Sequence, residues 1–164
     1  MAVQVRRARP EDLAAAGEVT VAAYAPFTQP TDAYVARLGD AATRAAEAEL
    51  WVAVDGAQPD ARVLGNVTTC PPGSPWREVA GAHEGEFRML AVAPDAQGRG
   101  VGAALLDHVL AVFRAQGFDA AVLSSLPEMA GAHRLYVRHG FVRRPERDWG
   151  REIGVELIVF DRDL

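Results

Sequence analysis

Seventeen residues, Glu86 to Gly102, hold the densest chemistry in this chain: E-F-R-M-L-A-V-A-P-D-A-Q-G-R-G-V-G. An apolar strand ends, a short link follows, and a glycine-rich turn opens a helix. Gly98, Gly100 and Gly102 take side chains out of the turn. A diphosphate can then approach backbone N–H groups at the positive end of the helix. The same glycines also suit a plain helix-capping turn. Gly98, Gly100 and Ala103 fit the dinucleotide fingerprint G-x-G-x-x-G/A, with Asp119 downstream. Against that reading, Asp119 precedes its strand instead of ending it. The link before the glycines is also too long for a tight strand-to-helix turn. One strand–helix–strand unit is too few for a doubly wound sheet.

Other reactive side chains give weaker patterns. His108, His133 and His139 offer no convincing metal pair, since ligands on one helix face stand three or four residues apart. They read as surface or helix-face residues, and no metal site is expected. Ser124 and Ser125 end a strand and could line a cleft, but no G-x-S-x-G elbow surrounds them. Cys70 is the one cysteine, so it has no partner within the chain. All 17 basic residues are arginine. Without lysine there is no Walker-type phosphate lysine and no Schiff base.

The elements that must position these groups follow from hydrophobic period and turn residues. Val3 to Ala8 reads as a strand. Pro10-Glu11-Asp12 starts a helix running to about Tyr24. Thr31 and Asp32 cap an alanine-rich helical region reaching about Glu49. Leu50 to Val54 and Arg62 to Thr69 form a hairpin, and a long Pro-rich loop extends to about Gly85. Glu86 to Val92 is the next strand. Val101 to Gln116 is an amphipathic helix that Gly117 ends. Ala120 to Ser124 is a buried strand. Pro127 starts a helix that Gly140 ends. Phe141 to Arg143 and Gly154 to Phe160 are closing strands.

At 164 residues, 49% apolar and 24% charged, the chain has the size and composition of a single domain, 1–164. The mixed order predicts an α/β fold with parallel and antiparallel neighbours in one sheet. A net charge of −5 and no basic run with interleaved aromatics make nucleic acid a poor partner. No secretory signal and no bilayer-spanning run are read, so no membrane partner is expected and a cytoplasmic location is the default.

Leu90-Ala91-Val92-Ala93-Pro94 followed by Gln97-Gly98-Arg99-Gly100-Val101-Gly102 resembles the acyl-coenzyme A signature of the GNAT N-acetyltransferase superfamily, Q/R-x-x-G-x-G/A after a strand. Ala132, Leu135-Tyr136 and Gly140-Phe141 are similar to the family's later helix. Arg6 to Leu13 is similar to its opening strand and helix. The resemblance covers most of the chain in order and is weakest over 26–85. It departs at Met129, where members often carry an asparagine that would contact the cofactor arm.

The resemblance implies a mixed, mostly antiparallel sheet flanked by helices, and acetyl-coenzyme A as co-substrate. The backbone of Gln97, Gly98, Arg99, Gly100, Val101 and Gly102 would hold the pyrophosphate. Leu90, Ala91 and Val92 would pair with the pantetheine arm like an added strand. The thioester would lie where the strand of Glu86 splays from that of Ala120. A backbone N–H near Leu90 would polarise its carbonyl oxygen. Tyr136 matches the family's proton donor to the leaving sulfur. Glu86 stands where several members carry a catalytic glutamate, with Glu84, His83 or water as other bases. The implied reaction is direct acetyl transfer to a primary amine of a small molecule or peptide. The rival is an inactive acyl-coenzyme A-binding module. The family also includes homodimers.

Overall fold

A computed structural model describes residues 2–164. The strands are β1 (Val3–Arg7), β2 (Glu49–Asp55), β3 (Val63–Cys70), β4 (Glu84–Val92), β5 (Ala120–Ser125), β6 (Val142–Arg143) and β7 (Ile158–Asp163). The helices are α1 (Leu13–Tyr24), α2 (Ala33–Gly39), α3 (Ala41–Glu47), α4 (Val101–Ala115) and α5 (Ala130–Arg138). All seven strands form one sheet in the order β1-β2-β3-β4-β5-β7-β6. Only β4 and β5 pair in parallel. The fold is therefore a mixed, mostly antiparallel α/β sheet, as the resemblance implies.

Strand alternation assigns the helices to faces. A Cβ on Gly65 would meet Leu105 and Val101 of α4. The next side chain, Asn66, bonds Thr20 and the Ala16 carbonyl of α1. So α4 and α1 cover opposite faces. α5 joins α4: the Tyr136 ring meets Phe87 with centroids 6.0 Å apart, and Leu135 lies against Gly102. Phe87 shares its face with Gly85, which lies under the Phe113 ring.

That contact has a measurable consequence. A Cβ on Gly85 would stand 2.5 Å from the Phe113 ring. Gly85→Ala is expected to force the ring off the strand and cost about 1–3 kcal/mol. Thermal unfolding checks this: an unchanged melting temperature would show that α4 rides freely on the sheet.

Several boundaries differ from the sequence pattern. The alanine-rich region is two short helices, because Asp40 caps a new start, accepting from the Thr43 N–H at 3.0 Å. Pro10–Asp12 is a separate 3₁₀ turn. Asp12 is drawn to Arg6 and to the Arg9 N–H rather than to the helix end. The helix after Pro127 begins only at Ala130, and the last strand begins at Ile158, not Gly154. Gly150 and Gly154, both at positive φ, turn the intervening segment into a short excursion closed by Trp149 and Leu157.

Candidate active site

β4 and β5 stay paired from Glu84↔Ala120 to Phe87↔Leu123, then part. The cause lies within β4. Asn66 faces Ala91 and Thr68 faces Arg88, so Val67 faces two residues, Met89 and Leu90. That is a β-bulge, which bends the strand and raises its twist. Met89 takes φ +52°, a left-handed conformation that non-glycine residues seldom adopt. Beyond it, Leu90 to Val92 pair with β3 alone, and their other edge borders a cleft.

The cleft has a volume of about 370 Å³. Its walls are Leu90–Val92, the turn 96–103 (Arg99 excepted), Met129, Ala132 and Leu135 around α5, and Ala23 and Phe27 at the end of α1. Gly98 and Gly100 hold φ of +76° and +81°, with open space where a Cβ would stand. α4 starts directly after Gly100. Its first N–H groups have no intrahelical acceptor, which makes this end a ready anion site. Gly102 has a different reason: its Cβ would press on Leu135 at 3.1 Å. It brings α4 and α5 together.

A second, smaller cavity opens on the α1 side of the strand gap, about 30 Å³, or the room of one water molecule. Tyr24, Tyr34, Glu78, Glu86, Arg88, Ser124, Ser125 and Trp149 line it. Glu86 is 1% exposed. Its Oε1 accepts the N–H groups of Glu78, Val79 and Ala80 at 2.9, 2.9 and 3.0 Å. Its Oε2 has no hydrogen bond among the described residues. Arg88 pairs with Glu78 and lies over the Trp76 ring. The Trp149 indole donates to Ser124 Oγ at 2.9 Å, pinning the excursion between β6 and β7 onto β5. Burial pushes the Tyr24 and Tyr34 hydroxyls up from their ordinary range, so both are neutral donors.

The model of the acetyltransferase (GNAT) domain matches residues 46–143. The chain belongs to the GNAT family. Mycothiol acetyltransferase of Beutenbergia cavernae is 47% identical over 68 residues, 42% of this chain and 23% of that protein. Mycothiol acetyltransferase of Cellulomonas flavigena is 37% identical over 117 residues, 65% of this chain and 32% of that protein. The chain thus spans about a quarter to a third of the length of these curated relatives. Among solved structures, PaiA N-acetyltransferase of Thermoplasma acidophilum in complex with coenzyme A superposes at TM-score 0.75 and 14% identity, covering 100% of each chain. A GNAT family acetyltransferase of Brucella melitensis in complex with acetyl-coenzyme A superposes at TM-score 0.62 and 26% identity, covering 99% of this chain and 91% of that one.

Within this GNAT fold the residues singled out in sequence fall into three groups. Leu90 to Val92 and Gln97 to Gly102 border or flank the cleft. Tyr136 is 5% exposed, on α5 beneath the gap, with Phe87, Phe141 and Phe160 around its ring. Glu86 lies on the opposite face, buried and not a solvated strand start. Glu84 and His83 are elsewhere. Arg147 binds both Glu84 oxygens at 2.8 Å and holds its carboxyl below the usual range. The His83 side chain is 85% exposed, beside Asp119. Both sit at the paired end of β4, away from the gap. Of the histidines, His108 lies tilted against Trp51 and His139 bonds Asp107 and the Leu135 carbonyl. Tyr24, Tyr34, Glu78, Arg88 and Trp149 were not legible as site residues. No local motif marks them, and only the fold gathers them. No helix among the described residues is long and apolar enough to cross a membrane.

Proposed function

We propose that this chain is an acetyl-coenzyme A-dependent N-acetyltransferase that passes the acetyl group directly to a primary amine. The observation that carries this reading is the gap between β4 and β5. It puts a cleft with an anion-binding helix start on one side and a small carboxylate-bearing cavity on the other. In this reading the first N–H groups of α4 and the turn of Gln97 to Gly102 hold the diphosphate of the substrate. The free edge of Leu90 to Val92 hydrogen-bonds its pantetheine arm. Neighbouring folds solved with coenzyme A or acetyl-coenzyme A support that co-substrate.

The thioester then points into the gap. The N–H beside the bulge, near Leu90, stabilises charge growing on the carbonyl oxygen. Glu86, its carboxylate oriented by three N–H donors, draws in the ammonium form of the acceptor and takes a proton from it through Oε2. Tyr136 donates its O–H toward the departing sulfur. No residue in this account requires a metal ion. The acyl-binding module without transfer activity is disfavoured by Glu86, because a carboxylate in the second cavity adds nothing to holding the cofactor. The relatives named mycothiol acetyltransferase favour a small-molecule acceptor.

A panel of amines tests the reading: a mycothiol-type acceptor, an amino sugar, a polyamine, an aminoglycoside and a peptide N-terminus, with mass detection of product. One acetylated amine with release of coenzyme A supports it, whereas tight acetyl-coenzyme A binding with no product from any would favour the module. The diphosphate placement has its own test. Gly100→Val puts a β-branched residue at φ +81°, a conformation it does not tolerate, and fills the space a phosphate would use. Acetyl-coenzyme A affinity measured by calorimetry is expected to fall at least tenfold, about 1.4 kcal/mol. Unchanged affinity in a folded variant would move the diphosphate elsewhere.

A further inference from the structure

An amine arriving as its ammonium ion loses two protons from nitrogen for each acetyl group it gains. The leaving sulfur takes one, and one goes to water. On the reading above, Glu86 accepts the first proton and frees the lone pair. The second needs another acceptor at the gap. Ser125 ends β5 there, 7% exposed, in the lining of the small cavity. Its parity along β5 matches Ala121 and Leu123, whose side chains join the α4 core, so Ser125 turns toward α5. There its Oγ lies 3.0 Å from Nε2 of His133. His133 is half-buried and one turn before Tyr136 on α5, with ring centroids 6.5 Å apart. A residue at the strand gap thus carries, on the α5 side, a hydroxyl that is joined to a half-buried imidazole and lies 3.4 Å from the Leu126 carbonyl.

We infer that Ser125 and His133 carry the second proton. As the tetrahedral adduct collapses and its C–S bond breaks, nitrogen gives its proton to Ser125 Oγ while the Ser125 hydroxyl gives its own to His133 Nε2. Of the two protons now on Glu86 and His133, one reaches the sulfur through the Tyr136 hydroxyl, which is reprotonated as it donates. The other leaves to water, and the site is restored.

The surroundings keep the imidazole neutral and ready to accept. Burial lowers it below its ordinary 6.5, and Arg143 of β6 acts the same way, while the Leu126 carbonyl partly offsets them. Arg143 is paired with Asp148 and lies over Phe160, which packs on the His133 ring. Tyr136 faces it from its own helix. A group lowered in this way is neutral above its pKa and loses function as pH falls through it, so the relay persists to a pH lower than an ordinary histidine would allow and fails beneath that.

The test is kcat against pH at saturating acetyl-coenzyme A, with the best panel amine and with hydroxylamine. Hydroxylamine arrives unprotonated near neutral pH, where its plateau isolates the second transfer; the acidic limb is read with the panel amine, whose protonation does not change there. The parent should lose turnover on an acidic limb below 6.5. His133→Gln keeps a hydrogen-bonding partner for Ser125 but does not titrate. It should lower the plateau at least roughly tenfold and abolish that limb, with KM for acetyl-coenzyme A unchanged. Ser125→Ala should do the same, and free imidazole should restore turnover to His133→Ala. A limb and plateau that survive both His133→Gln and Ser125→Ala overturn the relay while leaving the acetyltransferase reading intact. A parent that binds acetyl-coenzyme A but acetylates neither hydroxylamine nor any panel amine overturns both.

Discussion

Glu86→Gln is expected to leave the fold intact and to cut turnover by on the order of 10²-fold or more, the range for loss of one general base. The amide oxygen of glutamine can still accept the N–H groups of Glu78, Val79 and Ala80, so the loop they belong to stays in place. What is lost is a carboxylate in the cavity: the variant neither attracts an ammonium ion nor takes its proton. Steady-state kinetics with a saturating amine read the effect, and circular dichroism confirms the fold. Glu86→Ala separates the two duties of the side chain. It removes the acceptor of three part-buried N–H donors, so stability should fall as well, by about 1–3 kcal/mol, or roughly 3–10 °C in Tm. If Glu86→Gln turns over like the parent, Glu86 only anchors the loop, and water or the Ser125–His133 pair takes both protons.

Tyr136→Phe should lower turnover by a similar factor, about 10²-fold, through a different step. The ring is locked by Phe87, Phe141 and Phe160, each with centroids 6.0 Å away. Phenylalanine keeps that packing, so Tm and acetyl-coenzyme A affinity should hardly move. Burial pushes the Tyr136 hydroxyl well above its ordinary value of 10.0, whereas a free thiol ionises near about 8.5. The phenol is the weaker acid of the two. It therefore does not surrender its proton outright: it hydrogen-bonds the departing thiolate and passes a proton on only as another arrives. The effect belongs in kcat with little change in KM. Parent-like turnover under chemistry-limited conditions would remove Tyr136 from the reaction, and a collapse of acetyl-coenzyme A binding would make it a positioning residue for the cofactor arm.

The glycine turn was legible in the residues themselves because its shape is a backbone property. Gly98 and Gly100 can take positive φ at no steric cost, and an amphipathic run after them makes a helix whose free N–H groups point back at the turn. Strand alternation and helix period likewise set the element order, since both are read from neighbours a few positions apart. Gly102 shows the limit of that logic: its place in the motif suggested access for a phosphate, but its contact is with Leu135, a partner no local pattern names.

The proposed reaction centre depended on tertiary structure. β4 leaves β5 at Phe87 because Val67 of another strand faces both Met89 and Leu90, and that register exists only once β3 and β4 have paired. The gap so opened decides which faces communicate. Tertiary packing turns Glu86 from a strand-start carboxylate into a buried one held by the loop of residues 78–80, and takes Glu84 into an ion pair with Arg147. It also gathers Tyr24, Tyr34, Arg88 and Trp149 from four separate segments around one cavity. The sequence by itself determined where a phosphate could be held, because backbone dihedrals and helix ends are local. Which carboxylate, hydroxyl and imidazole could meet an amine was decided by the fold alone, because it rests on pairings between residues far apart in the chain.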